Sequence, residues 1–265
     1  MRKRFLLILP LLFGLFSCSN KGKEVTYEVF NSKIDEVLKQ EKTSPQTCKY
    51  SETVESKNKL RDKINNSLTK TTVDYGKNGY KKNEILYLNK KSDDSEYYKS
   101  EEKESIAILN NENTKFDFYF LEKDKNDEIR ESYKINSNID DKQLNNFEEL
   151  KYLISKRPLK SYTDFYLNEI NSLESEGTQR KYFIYEKNNI INFSCDVIYE
   201  PTNIMQGMTR YYTLEINNGL MTKFTVKSLS KSKDGAEEKS RERKVELSTF
   251  DGEIKVRTDI VYPEY

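Results

Sequence analysis

Residues 191–197 alternate without a break. Ile191, Phe193, Cys195, Val197 and Tyr199 fall on one side, and Asn192, Ser194 and Asp196 on the other. A period of two is the signature of a strand with one buried face. It recurs over 211–216 and 220–229, separated by Asn217-Asn218-Gly219, where an Asn-Gly pair between strands signals a tight hairpin. The expected strands continue over 181–185, 244–250 and 253–261, with a charged loop over 230–239. An earlier run is expected over 48–54, 68–75, 84–88, 105–109, 115–121 and 132–136. Strands in such close succession, joined by short polar turns, pair antiparallel.

Helical spacing interrupts this pattern three times. Tyr27, Phe30, Ile34, Val37 and Leu38 form an apolar stripe over 25–39. Leu144, Phe147, Leu150 and Ile154 form another after Asp140. Tyr162, Phe165, Tyr166, Ile170 and Leu173 form a third after Ser161. Helices bunched outside the strand runs give an α+β expectation: a curved antiparallel sheet packed on an N-terminal helix and a central helix pair.

The first twenty residues have a different character. Arg2, Lys3 and Arg4 precede an apolar run over 5–16, too short for a spanning helix of about twenty residues. The order of basic head, apolar run and small residue fits an export signal. Ser17-Cys18, directly after that run, resembles the lipobox of bacterial lipoproteins. The resemblance implies cleavage before Cys18, a lipid on its sulfur, and an extracytoplasmic place on the cell membrane or outer membrane. The expected layout is a signal over 1–17, a lipidated tether over 18–24 and one domain over 25–265.

The element order over 25–262 resembles the bacterial lipoprotein-carrier and lipid-binding half-barrels. That resemblance is architectural and transfers no functional residue. It implies a curved sheet around helices with an apolar cavity, hence a membrane-anchored, non-enzymatic lipoprotein binding a lipid or other apolar ligand. The alternative is a surface interaction or adhesion lipoprotein that binds a host or envelope protein.

Composition removes several chemistries. Histidine is absent, which excludes histidine triads, Cys-His dyads and histidine metal sites. The net charge of +1 falls to about −2 once Arg2, Lys3 and Arg4 are removed. Such a balance gives no electrostatic basis for nucleic acid. Carboxylates at Asp93-Asp94, Asp124–128 and Asp140-Asp141 are interleaved with Lys and Asn and read as solvated loops. No catalytic residue, metal ligand or cofactor is expected.

Ile204, Met205 and Met208, between Pro201 and the next strand, are candidate ligand-binding residues, since methionine adapts to varied apolar partners. The other reading is a loop folded over the core. Phe116, Phe118 and Phe120 share one face and either line a cavity or fill a core. Cys48 and Cys195 form an even pair in an exported chain, open to a disulfide or to two buried thiols.

Overall fold

The computed structural model describes residues 22–39, 46–61, 63–89, 96–110, 114–138, 157–171, 178–201 and 205–265. Cys18, the stripe over 144–154, Leu173 and Ile204 lie outside them. The described chain runs β1 (Lys23–Val25), α1 (Tyr27–Lys39), β2 (Cys48–Leu60), β3 (Lys63–Gly76), β4 (Gly79–Asn89), β5 (Tyr97–Leu109), β6 (Lys115–Lys123) and β7 (Ile129–Asn138). It continues with α2 (Pro158–Asn171), β8 (Thr178–Lys187), β9 (Ile190–Tyr199), β10 (Met205–Asn217), β11 (Leu220–Ser232) and β12 (Glu237–Thr249). All twelve strands join one antiparallel sheet, in the order β1-β8-β9-β10-β11-β12-β2-β3-β4-β5-β6-β7. The sheet is open, with β1 and β7 at its ends.

A flat sheet of twelve strands would be about 50 Å wide. One core nonetheless joins side chains of β2–β6 and β9–β12 to both helices. The sheet therefore curls around α1 and α2, and the helix-bearing face is its inner face. The expected curved sheet is present, but strand so outweighs the two described helices, of 13 and 14 residues, that the fold is mainly β rather than α+β.

Both helices form for local reasons. Thr26 caps α1, its Oγ1 accepting from the Val29 amide at 3.5 Å. Phe30, Ile34 and Val37 then face the sheet. Phe30 lies edge-on to Phe193 at 5.5 Å. α2 begins at Pro158 rather than at Ser161, because proline suits a first turn that needs no amide donor. Its buried stripe is Leu159, Tyr162, Tyr166, Leu167 and Ile170. Phe165 lies off that stripe and is 50% exposed, against expectation, with its ring edge-on to Tyr166.

The sequence reading placed several strand boundaries wrongly. The charged stretches near 57–63 and 230–239 are mostly strand, since β2 runs to Leu60, β11 to Ser232 and β12 starts at Glu237. Cross-strand charge pairs hold these extensions, as Lys231–Glu238 at 2.7 Å shows. Residues 253–261 are not a strand. They run as a strap over the outer face, where Ile254 is buried against Gly76 and exchanges two hydrogen bonds with the Asn78 side chain. Lys23–Val25, expected in the tether and helix, pairs with β8 instead. The Asn-Gly hairpin holds: Asn218 and Gly219 both take positive φ, 52° and 79°.

A candidate ligand groove and the inner face opposite it

Under α2 the inner face is filled by aromatic rings. Tyr162 stacks on Tyr50 at 4.8 Å, and Tyr166 packs on Phe224 at 4.2 Å. Their hydroxyls pair: Tyr75 with Tyr162 at 2.8 Å and Tyr50 with Tyr166 at 3.3 Å. Arg243 donates from Nη2 to the Tyr166 hydroxyl at 2.9 Å and from Nε to Glu52. Thr163 ties α2 to the sheet, accepting from the Met221 amide at 3.0 Å. Burial dominates the acid–base behaviour here. It pushes the Tyr166 hydroxyl up to about 12 and raises Tyr50 further. It also raises Glu169, which faces Arg243 and Arg210. The tyrosine hydroxyls stay protonated near neutrality and pair with one another, which marks a structural network.

Phe116 and Phe118 belong to this packed core, and Phe120 is partly buried against Tyr133 at 5.1 Å. Phe116 and Phe118 thus pack in the interior, and Phe120 at its edge. Cys48 and Cys195 are both free and buried. They sit on β2 and β9 with β10, β11 and β12 between them, beyond the 4.4–6.8 Å Cα spacing typical of a disulfide. The buried-thiol reading holds and the disulfide does not. Burial pushes both thiols up to about 12.

A groove of about 720 Å³ opens where β9–β12, β2 and β3 run past the helices. Its register row is Ile198, Thr209, Leu229, Ser240, Lys57 and Asn66, one residue per strand. These side chains alternate with the core positions and so belong to the outer face. Ile198 and Leu229 are each 38% exposed. Ile64 adds aliphatic lining, and Lys231, Glu238 and Lys59 form a cross-strand charged rim. Asn66 is 8% exposed, and its Oδ1 accepts no hydrogen bond among the described residues. Met208, which lies within β10 rather than in a loop, and Pro201 also line the groove. Met205 opens β10, but its side chain is outside the described part. Sequence reasoning missed all three aliphatic residues: Ile64 fell outside the expected strand over 68–75, and Ile198 and Leu229 are apolar residues on the polar side of theirs.

Among the described residues no group of His, Cys, Asp and Glu is arranged to hold a metal ion, and no helix is long and apolar enough to cross a membrane.

No protein-family model matches the chain, and no curated protein matches it. Among solved structures it is similar to a beta-barrel-like protein of a domain of unknown function, DUF1849, from Brucella abortus. That likeness has 8% identity and a TM-score of 0.28, covering 79% of this chain and all of the other. It is also similar to the S. cerevisiae core factor, at 9% identity and a TM-score of 0.17, covering 72% of this chain and 46% of that one. Both likenesses are distant, and the fold description stands on strand pairing alone.

Proposed function

We propose that this is a membrane-anchored, non-enzymatic lipoprotein that holds an apolar or amphipathic ligand in the outer-face groove. The observation that carries the reading is the groove itself: aliphatic side chains of Ile64, Ile198 and Leu229 around about 720 Å³, within the usual size of small-molecule sites. The buried Asn66 Oδ1 offers an acceptor to a ligand hydroxyl or amine. The sequence pointed to the inside of the half-barrel, but that face is packed with aromatic rings under α2. The ligand site is therefore assigned to the other face.

The anchor is the lipid on Cys18, on the cell membrane or outer membrane and outside the cytoplasm. Gly22 lies against Ile184 and Tyr185. Tyr185 is level with Asn192, and the groove is level with Ile198. Six strand residues separate the two levels, about 20 Å. A tether at Gly22 thus leaves the groove at the far end of the sheet, open to what arrives from outside the anchoring bilayer.

Denaturing extraction of the purified protein, followed by mass spectrometry, tests the reading. A bound amphiphile present in the parent and lost in Ile198→Asp/Leu229→Asp is expected. An empty parent protein overturns it, as does a ligand retained by that variant. The second reading, an interaction or adhesion lipoprotein binding a host or envelope protein, is favoured by the packed interior beside the exposed Ile198 and Leu229. Crosslinking from position 229 in intact cells would then capture one protein partner in place of a lipid.

A further inference from the structure

With the groove as the ligand site, its charge balance narrows the occupant. Its lining holds four lysines, Lys57, Lys59, Lys231 and Lys239, and one carboxylate, Glu238. Three of the lysines are paired. Lys231 meets Glu238 at 2.7 Å, Lys57 meets Glu55 at 3.0 Å, and Lys239 meets Glu237 at 2.6 Å. Lys59 is directly across from Glu238 in register and attracts it, but Lys231 already holds that carboxylate. Four ammonium groups against three carboxylates leave one positive charge, and it falls at Lys59. Glu200, beside Pro201, is exposed and stands outside the lining.

Its position matters as much as its charge. Lys59 on β2 is level with Ile64 on β3, so the unpaired cation stands beside aliphatic lining. Leu229 and Ile198 continue that lining across the sheet on the same face, one pleat back. From Ile198 on β9 to Lys59 on β2 is four strand spacings, about 19 Å. The hydrocarbon core of a bilayer is about 30 Å thick and holds two opposed acyl chains, so one chain covers about 15 Å. A single chain with its head at Lys59 therefore crosses β12, passes Leu229 on β11 and ends short of Ile198. The stems of Lys57 and Lys231 add methylenes to that path.

The head group follows from the same balance. An ammonium acts as a point charge, so it selects an anion by charge more than by shape. A single net positive charge matches a carboxylate, whereas a phosphate monoester carries about 1.5 to 2 negative charges near neutral pH. We propose, resting on the groove reading above, that the groove takes a long-chain fatty acid. Its carboxylate sits at Lys59, and its chain lies across the strands along Leu229 toward Ile198.

Equilibrium binding of the purified protein to oleate and to oleyl alcohol, the same chain without the charge, tests this below the micelle concentration. Oleate is expected to bind about fivefold more tightly, the size of an exposed ion pair. Salt at about 1 M should remove that preference. Lys59→Gln, at an exposed position, should weaken oleate about threefold and leave oleyl alcohol unchanged. Lys49→Gln, on the same face at the other end of β2, should alter neither. Ile198→Asp/Leu229→Asp should abolish both, and oleoyl lysophosphatidate should bind the parent no more tightly than oleate. Equal affinity for oleate and oleyl alcohol overturns the fatty-acid assignment while the groove stands as the ligand site. So does an equal loss of both in Lys59→Gln, or tighter binding of the phosphate head. Oleate retained by Ile198→Asp/Leu229→Asp overturns it by placing the fatty acid elsewhere. Binding of none of the three amphiphiles overturns the groove reading and the fatty acid together.

Discussion

β10 shows two regions of the molecule within one strand. At one end Tyr212 and Leu214 are buried beneath α2, while at the other Arg210 and Met208 run past it, half-exposed. The same change occurs along β11, from Phe224 to Ser228, and along β2, from Tyr50 to Ser56. The pairing continues unbroken across the change. Backbone hydrogen bonding, with exposed cross-strand charge pairs such as Lys231–Glu238, therefore carries the sheet beyond its core. Stability is concentrated under the helices, and the surface beyond them is left to carry binding groups.

Matched truncations should break or confirm this division. Phe224→Ala, at a fully buried site, is expected to cost about 3–5 kcal/mol in denaturant unfolding. Leu229→Ala, five residues along β11, should cost within about 0.5 kcal/mol. Equal costs would mean that the extension is also core.

Alkaline pH probes the packed end next. The thiols of Cys48 and Cys195 ionise near 9.0 when unfolded and are pushed to about 12 by burial. The unfolded chain loses these protons first, so stability is held below pH 9 and declines as pH rises from about 9 to about 12. Cys48→Ala/Cys195→Ala should flatten that decline, and a thiol reagent should label neither cysteine before unfolding. Rapid labelling of the native protein would contradict the packing.

Smaller effects sharpen the contrast. Arg243→Met strands the Glu52 carboxylate and should cost about 2 kcal/mol, below the range for a fully buried pair because the guanidinium is 31% exposed. Tyr75→Phe removes one buried hydroxyl pair and should cost about 1 kcal/mol. Lys231→Ala breaks a pair whose two ends are each about half exposed, so its cost should stay within about 0.5 kcal/mol. A larger loss from Lys231→Ala than from Tyr75→Phe would show the open end to be the firmer one.

Much of the fold was legible because alternation is local. The strict pattern over 191–197 and the Asn-Gly turn at 218–219 each report backbone geometry from neighbouring residues. The stripe Phe30, Ile34 and Val37 did the same for α1. The strand extensions were not legible. Lys57, Lys59, Lys231 and Glu238 look like loop residues until the partner strand sets opposite charges beside one another. The strap over 253–261 misled for a related reason, since an extended chain alternates whether or not it pairs. The candidate site was less legible still. Met208 was singled out as an adaptable side chain, whereas Ile64, Ile198 and Leu229 come from three separate strands.

The amino-acid order by itself determined the strand-rich character, the hairpin turns, the helix stripes and the lack of histidine chemistry. These depend on spacing of a few residues along one chain. Tertiary structure alone decided that twelve strands form one curled sheet, that Cys48 and Cys195 lie too far apart to bond, and that Lys59 falls across from Glu238. Each of those outcomes depends on register between strands far apart in sequence, which no local pattern specifies.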